Sequence, residues 1–129
     1  MRHLEALALA IARENRVLEP DSEAFQTLNP GLLYRYDPED KHEANESGIK
    51  VYTTLHAGLR ALDAVLRAKC EGKTRSDGMK SQLTSRSTLS ELCASCRIIR
   101  VRVIAEFLQD ALNDRAINEK TPLQYFLEK

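Results

Sequence analysis

Glu14 is the residue of this chain whose type and position most invite chemistry. It lies three residues after Ile11 and seven after Leu7, so a helix through this segment places its carboxyl on the apolar side. A carboxyl group in an apolar setting holds its proton to higher pH and is suited to act as a general acid. The simpler reading is a helix-end glutamate with its head in solvent or paired to Arg13 or Arg35. A hydrolytic mechanism would need a second carboxylate roughly 5–9.5 Å away. Asp37, Glu39, Asp40, Glu43 and Glu46 follow in an acidic loop and are the available donors, although a dense acidic run is ordinarily just solvated. Tyr34, Tyr36 and Tyr52 flank the same loop. Their rings could stack on a ligand or could close a core beside the Pro and Gly turns.

Other reactive residue types lack the company they would need. Cys93-Ala-Ser-Cys96 has metal-like spacing, but zinc needs four ligands, and His3, His42 and His56 show no ligand spacing even with Cys70 added. A redox pair opens a helix after a strand, whereas this one closes a helix. Both cysteines read as small buried side chains. With Cys70 they form an odd set of three, which argues against a disulfide framework and for a reducing compartment. No metal or other cofactor is expected. Arg97, Arg100 and Arg102, with Lys73, Arg75 and Lys80, form a basic cluster that could meet phosphates. No helix-turn-helix spacing or phosphate loop accompanies it, so a solvated face is expected and nucleic acid is not an expected partner.

The elements that must position these residues are mostly helical. Leu4, Leu7, Ala8, Ile11 and Leu18 repeat at helical steps and predict a helix over 3–18. A long irregular segment from Glu19 to Thr53 follows, broken by Pro20, Pro30, Gly31, Pro38 and Gly48. Loops of that length are usually functional or disordered. Within it "SEAFQT" could form one helical turn, and "GIKVYTT" alternates like a short strand. Thr54 can cap a second helix and Gly72 can end it, predicting 55–71. Gly58 inside that helix costs ~1 kcal/mol relative to Ala and implies close approach by another backbone. After a Ser-, Thr-, Lys- and Arg-rich loop, Thr88-Leu89-Ser90-Glu91 is a capping box opening a helix over 88–96. Further helices are expected over 98–113 and, after Thr121-Pro122, over 122–127. Leu59 and Leu62 should pack against Leu7, Ile11, Ile104 and Leu108.

The chain has 129 residues, 43% hydrophobic and 29% charged, with 19 Lys and Arg against 19 Asp and Glu. That size fits one domain over 1–129, mainly α, with a core of its own. Zero net charge gives no general pull towards nucleic acid or membrane and leaves repulsion between copies weak, so weak self-association is expected. No apolar run reaches the ~18 residues of a membrane span. The N-terminal "ALALAIA" is interrupted by Glu5 and closed by Arg13 and Glu14 without a cleavage site, so it reads as a helix rather than a signal peptide. A cytoplasmic protein as synthesised is expected, with delivery to a cell wall or virion open to it.

Six pieces in order, "AIARE" (Ala10 to Glu14), Ser22, "NPGLL" (Asn29 to Leu33), "VYTTLHAGLRAL" (Val51 to Leu62), "STLSEL" (Ser87 to Leu92) and "TPLQYFL" (Thr121 to Leu127), span nearly the whole chain. Together they resemble the small lysozyme-like proteins of phage and prophage regions, a branch of the lysozyme and lytic-transglycosylase superfamily. The resemblance implies a compact lysozyme-like helical domain that engages the peptidoglycan glycan strand. Glu14 would be the catalytic acid and base of a transglycosylase or muramidase, one glutamate sufficing where the sugar's own hydroxyl replaces water. Ser22, Gln26, Asn29, Tyr34 and Tyr52 would contact substrate beneath the "FQTLNPGLL" loop. The chain departs from the family at Glu14-Asn15, where Gly or Ser is usual after the glutamate, and around the Asn-Pro-Gly turn. The Gly-Leu-Met-Gln box of lytic transglycosylases is absent. The alternative is a non-catalytic relative, a structural or accessory protein that keeps the fold and meets phage or assembly proteins through its surface.

Overall fold

A computed structural model describes residues 1–35, 39–73 and 83–127. It is mainly helical: α1 (His3–Glu14), α2 (Glu23–Thr27), α3 (Leu55–Cys70), α4 (Leu89–Ser95) and α5 (Val101–Ala111) are followed by a terminal 3-10 helix, Leu123–Leu127. α1 is the central element. It touches α3, α5 and the 3-10 helix, and Leu4, Ala6, Leu7, Ala8, Ala10, Ile11 and Ala12 are all buried. Its run of alanines explains how: small side chains let three neighbours approach one helix, which is why "ALALAIA" is apolar on nearly every side.

The main core joins Leu7 and Ile11 of α1, Leu62 and Leu66 of α3, Leu89 and Leu92 of α4, Ile104 and Leu108 of α5, and Leu123 and Phe126 of the 3-10 helix. Leu62 lies in that core as its helical phase requires. Leu59 does not. It is half-buried and packs with Leu32 and Leu55 on a second cluster made by Ala12, Val17 and Ala24. Position 59 faces the long excursion between α1 and α3 rather than the bundle. Gly58 does what its placement implied: an added Cβ would collide with the Leu28 carbonyl oxygen and stand 2.7 Å from Pro30 Cδ.

The first helix stops four residues earlier than its periodicity indicates. Arg16 takes a left-handed φ of 61°. Its N–H bonds to the Arg13 carbonyl at 2.9 Å and that of Val17 to the Ala12 carbonyl at 3.2 Å, the paired bonds of a Schellman end. The reversal turns Val17 inward, where it is 8% exposed, and throws Leu18 out, 78% exposed. Leu18 therefore belongs to no core stripe. The same ending recurs after α3 at Gly72, after α4 at Arg97 and after α5 at Asn113, all with positive φ. The turn at Arg97 is why α5 begins at Val101 rather than Ile98. The capping box of α4 is complete, with Thr88 and Glu91 side chains each bonded to the other's backbone N–H. The strand-like segment near 49–53 is reduced to isolated bridges, Tyr34 with Ile49 and Ala44 with Lys50.

Candidate functional site

Glu14 is the last residue of α1 and Arg100 the residue that precedes α5. Their side chains meet in a two-point ion pair. Arg100 Nε donates to Oε2 and Nη2 to Oε1, each at 2.8 Å. The carboxylate side chain is 12% exposed and the guanidinium 67%. Hydrogen bonding to Glu14 pushes the Arg100 guanidinium above its ordinary value, with the charge of Glu14 adding to it. The pair places a cation at the C-terminal end of α1, where the helix dipole favours one, and clasps α1 to the start of α5. Arg13 and Arg35, the partners expected from sequence, are occupied elsewhere. Arg13 lies over the Phe107 ring at 5.5 Å, and Arg35 donates to the His42 carbonyl.

Asn15 donates from Nδ2 to the Pro30 carbonyl at 2.9 Å. It thereby ties the Asn-Pro-Gly turn to the end of α1. Pro30 and Gly31 turn the chain against the helix end. The side chains of the turn are spent on holding the chain. Asn29 is fully buried. Its Nδ2 donates to the carbonyls of Leu33 and Lys50, and its Oδ1 accepts from the Leu33 N–H, all between 2.9 and 3.0 Å. Ser22 caps α2, accepting from Phe25 N and donating to the Arg16 carbonyl at 2.6 Å. Gln26 is exposed and reaches the Pro20 carbonyl at 3.3 Å. Each of these bonds satisfies a backbone group that an irregular loop would otherwise leave unpaired.

The tyrosines part company. Tyr34 lies in a narrow groove of about 90 Å³ with Asn15, Gly31, Lys69, Ser95 and Cys96, and Arg97 covers its ring at 4.0 Å. That volume is far below the ~300–1,000 Å³ of ligand pockets. Tyr52 tilts against His42 with ring centroids 4.7 Å apart. Burial, aided by the charge of Asp40, pushes its phenol above the ordinary value. Among the candidate second carboxylates, Asp40 accepts from the His42 N–H and pairs with Lys50 at 3.1 Å. Those bonds hold its carboxyl below the ordinary value. Tyr36, Asp37, Arg75 and Lys80 lie outside the described residues.

Cys70 and Cys93 are buried and Cys96 half-buried. Burial pushes the thiols of Cys70 and Cys93 up to about 12, the behaviour of inert packing residues. Among the described residues no group of three potential ligands could hold a metal ion, and no helix is long and apolar enough to cross a membrane. The basic cluster is dispersed: Arg97 goes to Tyr34, Arg100 to Glu14 and Lys73 to Glu71 at 3.7 Å. Two residues carry more of the architecture than their sequence context signals. Arg100 is one, since nothing local links it to a glutamate 86 positions away. Lys69 is the other, 3% exposed with its ammonium 3.1 Å from Ser95 Oγ; its place on the Leu62–Leu66–Cys70 side of α3 was the available signal. Comparison of the chain with protein-family models, with curated proteins and with solved structures gave no match.

Proposed function

We propose that this protein is a non-catalytic helical domain that acts through its surface, an accessory or assembly protein of the kind the phage-type lysozyme-like resemblance allows. The observation that carries this reading is the Glu14–Arg100 clasp. A general acid must present a proton to the leaving oxygen. Both oxygens of Glu14 instead accept from N–H groups of one guanidinium, a geometry made for a carboxylate. The surrounding candidates support the same reading, because Ser22 and Asn29 spend their polar atoms on backbone and the groove at Tyr34 is too small for a sugar. A second reading keeps the peptidoglycan-cleaving activity. It draws on the exposure of Arg100, whose side chain could swing out and free the Glu14 carboxyl when a glycan strand arrives.

Lysis of purified peptidoglycan, followed as a fall in turbidity, separates the two. The expected result is no lysis by the wild type or by Arg100→Ala. Glu14→Gln should lower the Tm by no more than about 5 °C, the modest effect of weakening one ion pair whose arginine is largely exposed in a chain of this size. Lysis by the wild type that Glu14→Gln abolishes without loss of Tm would overturn the assembly reading.

A further inference from the structure

A second groove, of about 580 Å³, runs between the first half of α1 and α3. Its floor is apolar, with Leu9 and Leu59 half-buried beside Leu4 and Ala8. On α3, positions 56, 60, 63 and 67 follow one another at helical steps and line one wall. Arg2, Arg60 and Arg67 stand exposed around it and make no ion pair among the described residues. Glu5 and Asp63 also line the groove, so guanidiniums outnumber carboxylates. The N-terminus of α1, which has no side-chain cap, adds positive potential at the same end.

The opposite character lies elsewhere on the same molecule. The zero net charge conceals a division along the chain: residues 17–46 hold eight carboxylates against Arg35 and Lys41. Arg16 compensates Glu19 and Asp21. Glu23, Glu43 and Glu46 are exposed and make no ion pair among the described residues. The Asn45 amide donates to Glu23 Oε2 at 3.0 Å, bringing the 43–46 turn beside α2. Large apolar side chains project from this acidic region, Leu18 at 78% and Phe25 at 40% exposure. An acidic knob with apolar side chains thus matches a basic-rimmed groove with an apolar floor.

We propose that the chain associates with copies of itself head to tail, the acidic Leu18–Phe25 knob of one copy seated in the α1–α3 groove of the next. The two surfaces share no residue, so one copy can use both at once. A heterologous contact of this kind builds rings or open filaments rather than a closed two-fold dimer. The proposal rests on the assembly reading in that it takes surface, not Glu14, as the working part.

Sedimentation velocity of the full chain tests it. At about 0.02 M salt the weight-average mass should rise with concentration, and at about 0.3 M it should return towards the 14.6 kDa of the single chain, because screening removes exposed attraction. Arg60→Glu with Arg67→Glu, and separately Glu43→Lys with Glu46→Lys, should each weaken association about tenfold or more by setting like charges together. An equimolar mixture of the two variants should associate again, because each restores opposite charge to the other. The milder pair Arg60→Gln and Arg67→Gln should show the same loss, so a reversal variant that fails to fold leaves the question answerable. A wild type that stays monomeric at about 1 mM and low salt, where attraction is least screened, overturns the proposal. So does association that both charge-reversed variants retain, or a mixture that stays monomeric. Any of these leaves the assembly reading to the lysis assay.

Discussion

The bundle and the excursion between α1 and α3 are held together by different physics. In the bundle, leucine and isoleucine side chains from four helices and the 3-10 helix meet in one cluster, and burial of apolar surface is the dominant favourable term. The excursion has a small apolar cluster of its own, Ala12, Val17 and Ala24 with Leu32, Leu55 and Leu59 around it. Its shape comes from side chains that bond backbone: Ser22, Asn29, Asn45 and, from the end of α1, Asn15. Apolar packing is non-directional and tolerates adjustment, whereas a buried amide that serves three backbone groups has no substitute. Ser22 and Asn29, candidate site residues of this protein, lie in the second region, and there they are structural staples.

Leu62 sits where the two regions meet, and its removal should have the largest effect. It is 1% exposed, and its Cδ1 lies 2.5 Å from where a Cβ on Gly31 would stand. Leu62→Ala should cost about 2–5 kcal/mol in urea unfolding, with both regions affected. A loss below about 1 kcal/mol would mean that this position is not core. Asn29→Ala should cost somewhat less, about 2–3 kcal/mol, by leaving the Leu33 N–H and two carbonyls without their partner. Its signature should be local. Amide exchange should speed up in residues 27–34 and 49–52 while far-UV circular dichroism keeps its helical signal. A global loss of helix would show that the excursion and the bundle fold as one unit.

Legibility follows the same division. Periodicity exposed α1, α3 and α5 because each buries a continuous stripe. Gly72 and the Thr88 capping box marked their helix ends because the chemistry of those turns is residue-specific. The end of α1 and the start of α5 were hidden because the left-handed positions beside them are filled by Arg16 and Arg97, residue types that carry no such signal. The stripe reading consequently ran through to Leu18 and put Ile98 inside α5. Asn29 stands in a legible Asn-Pro-Gly turn, and its amide bonds backbone there. The partner of Glu14 was not legible, since the Glu14–Arg100 pair joins the two ends of a long path through the chain. Helical phase could place the glutamate on the inner side of α1 but could not say which cation waits there.

The smallest expected effect lies at the far end of the bundle, where Asp114 ties the C-terminal segment down by polar contacts against an otherwise apolar core. The Tyr125 hydroxyl donates to Oδ2 at 2.8 Å and the Ala116 N–H to Oδ1 at 3.0 Å. The Tyr125 ring also stacks on His3, with centroids 4.5 Å apart. The Tyr125 bond first, then the Ala116 bond, hold the Asp114 carboxyl below its ordinary value of 3.8, with His3 adding to the effect and desolvation opposing it. A carboxyl lowered on folding stabilises the native state fully above its unfolded value, and that contribution is lost as pH falls through the folded one. Asp114→Asn should therefore lower Tm slightly at neutral pH, and the gap between variant and wild type should close below pH 3.8. Asp40, lowered by the His42 N–H and Lys50, titrates in the same direction, so the variant should flatten only part of the acid limb. A gap that stays constant down through that range would assign the loss to the Tyr125 hydrogen bond alone and leave the charge of Asp114 without a role.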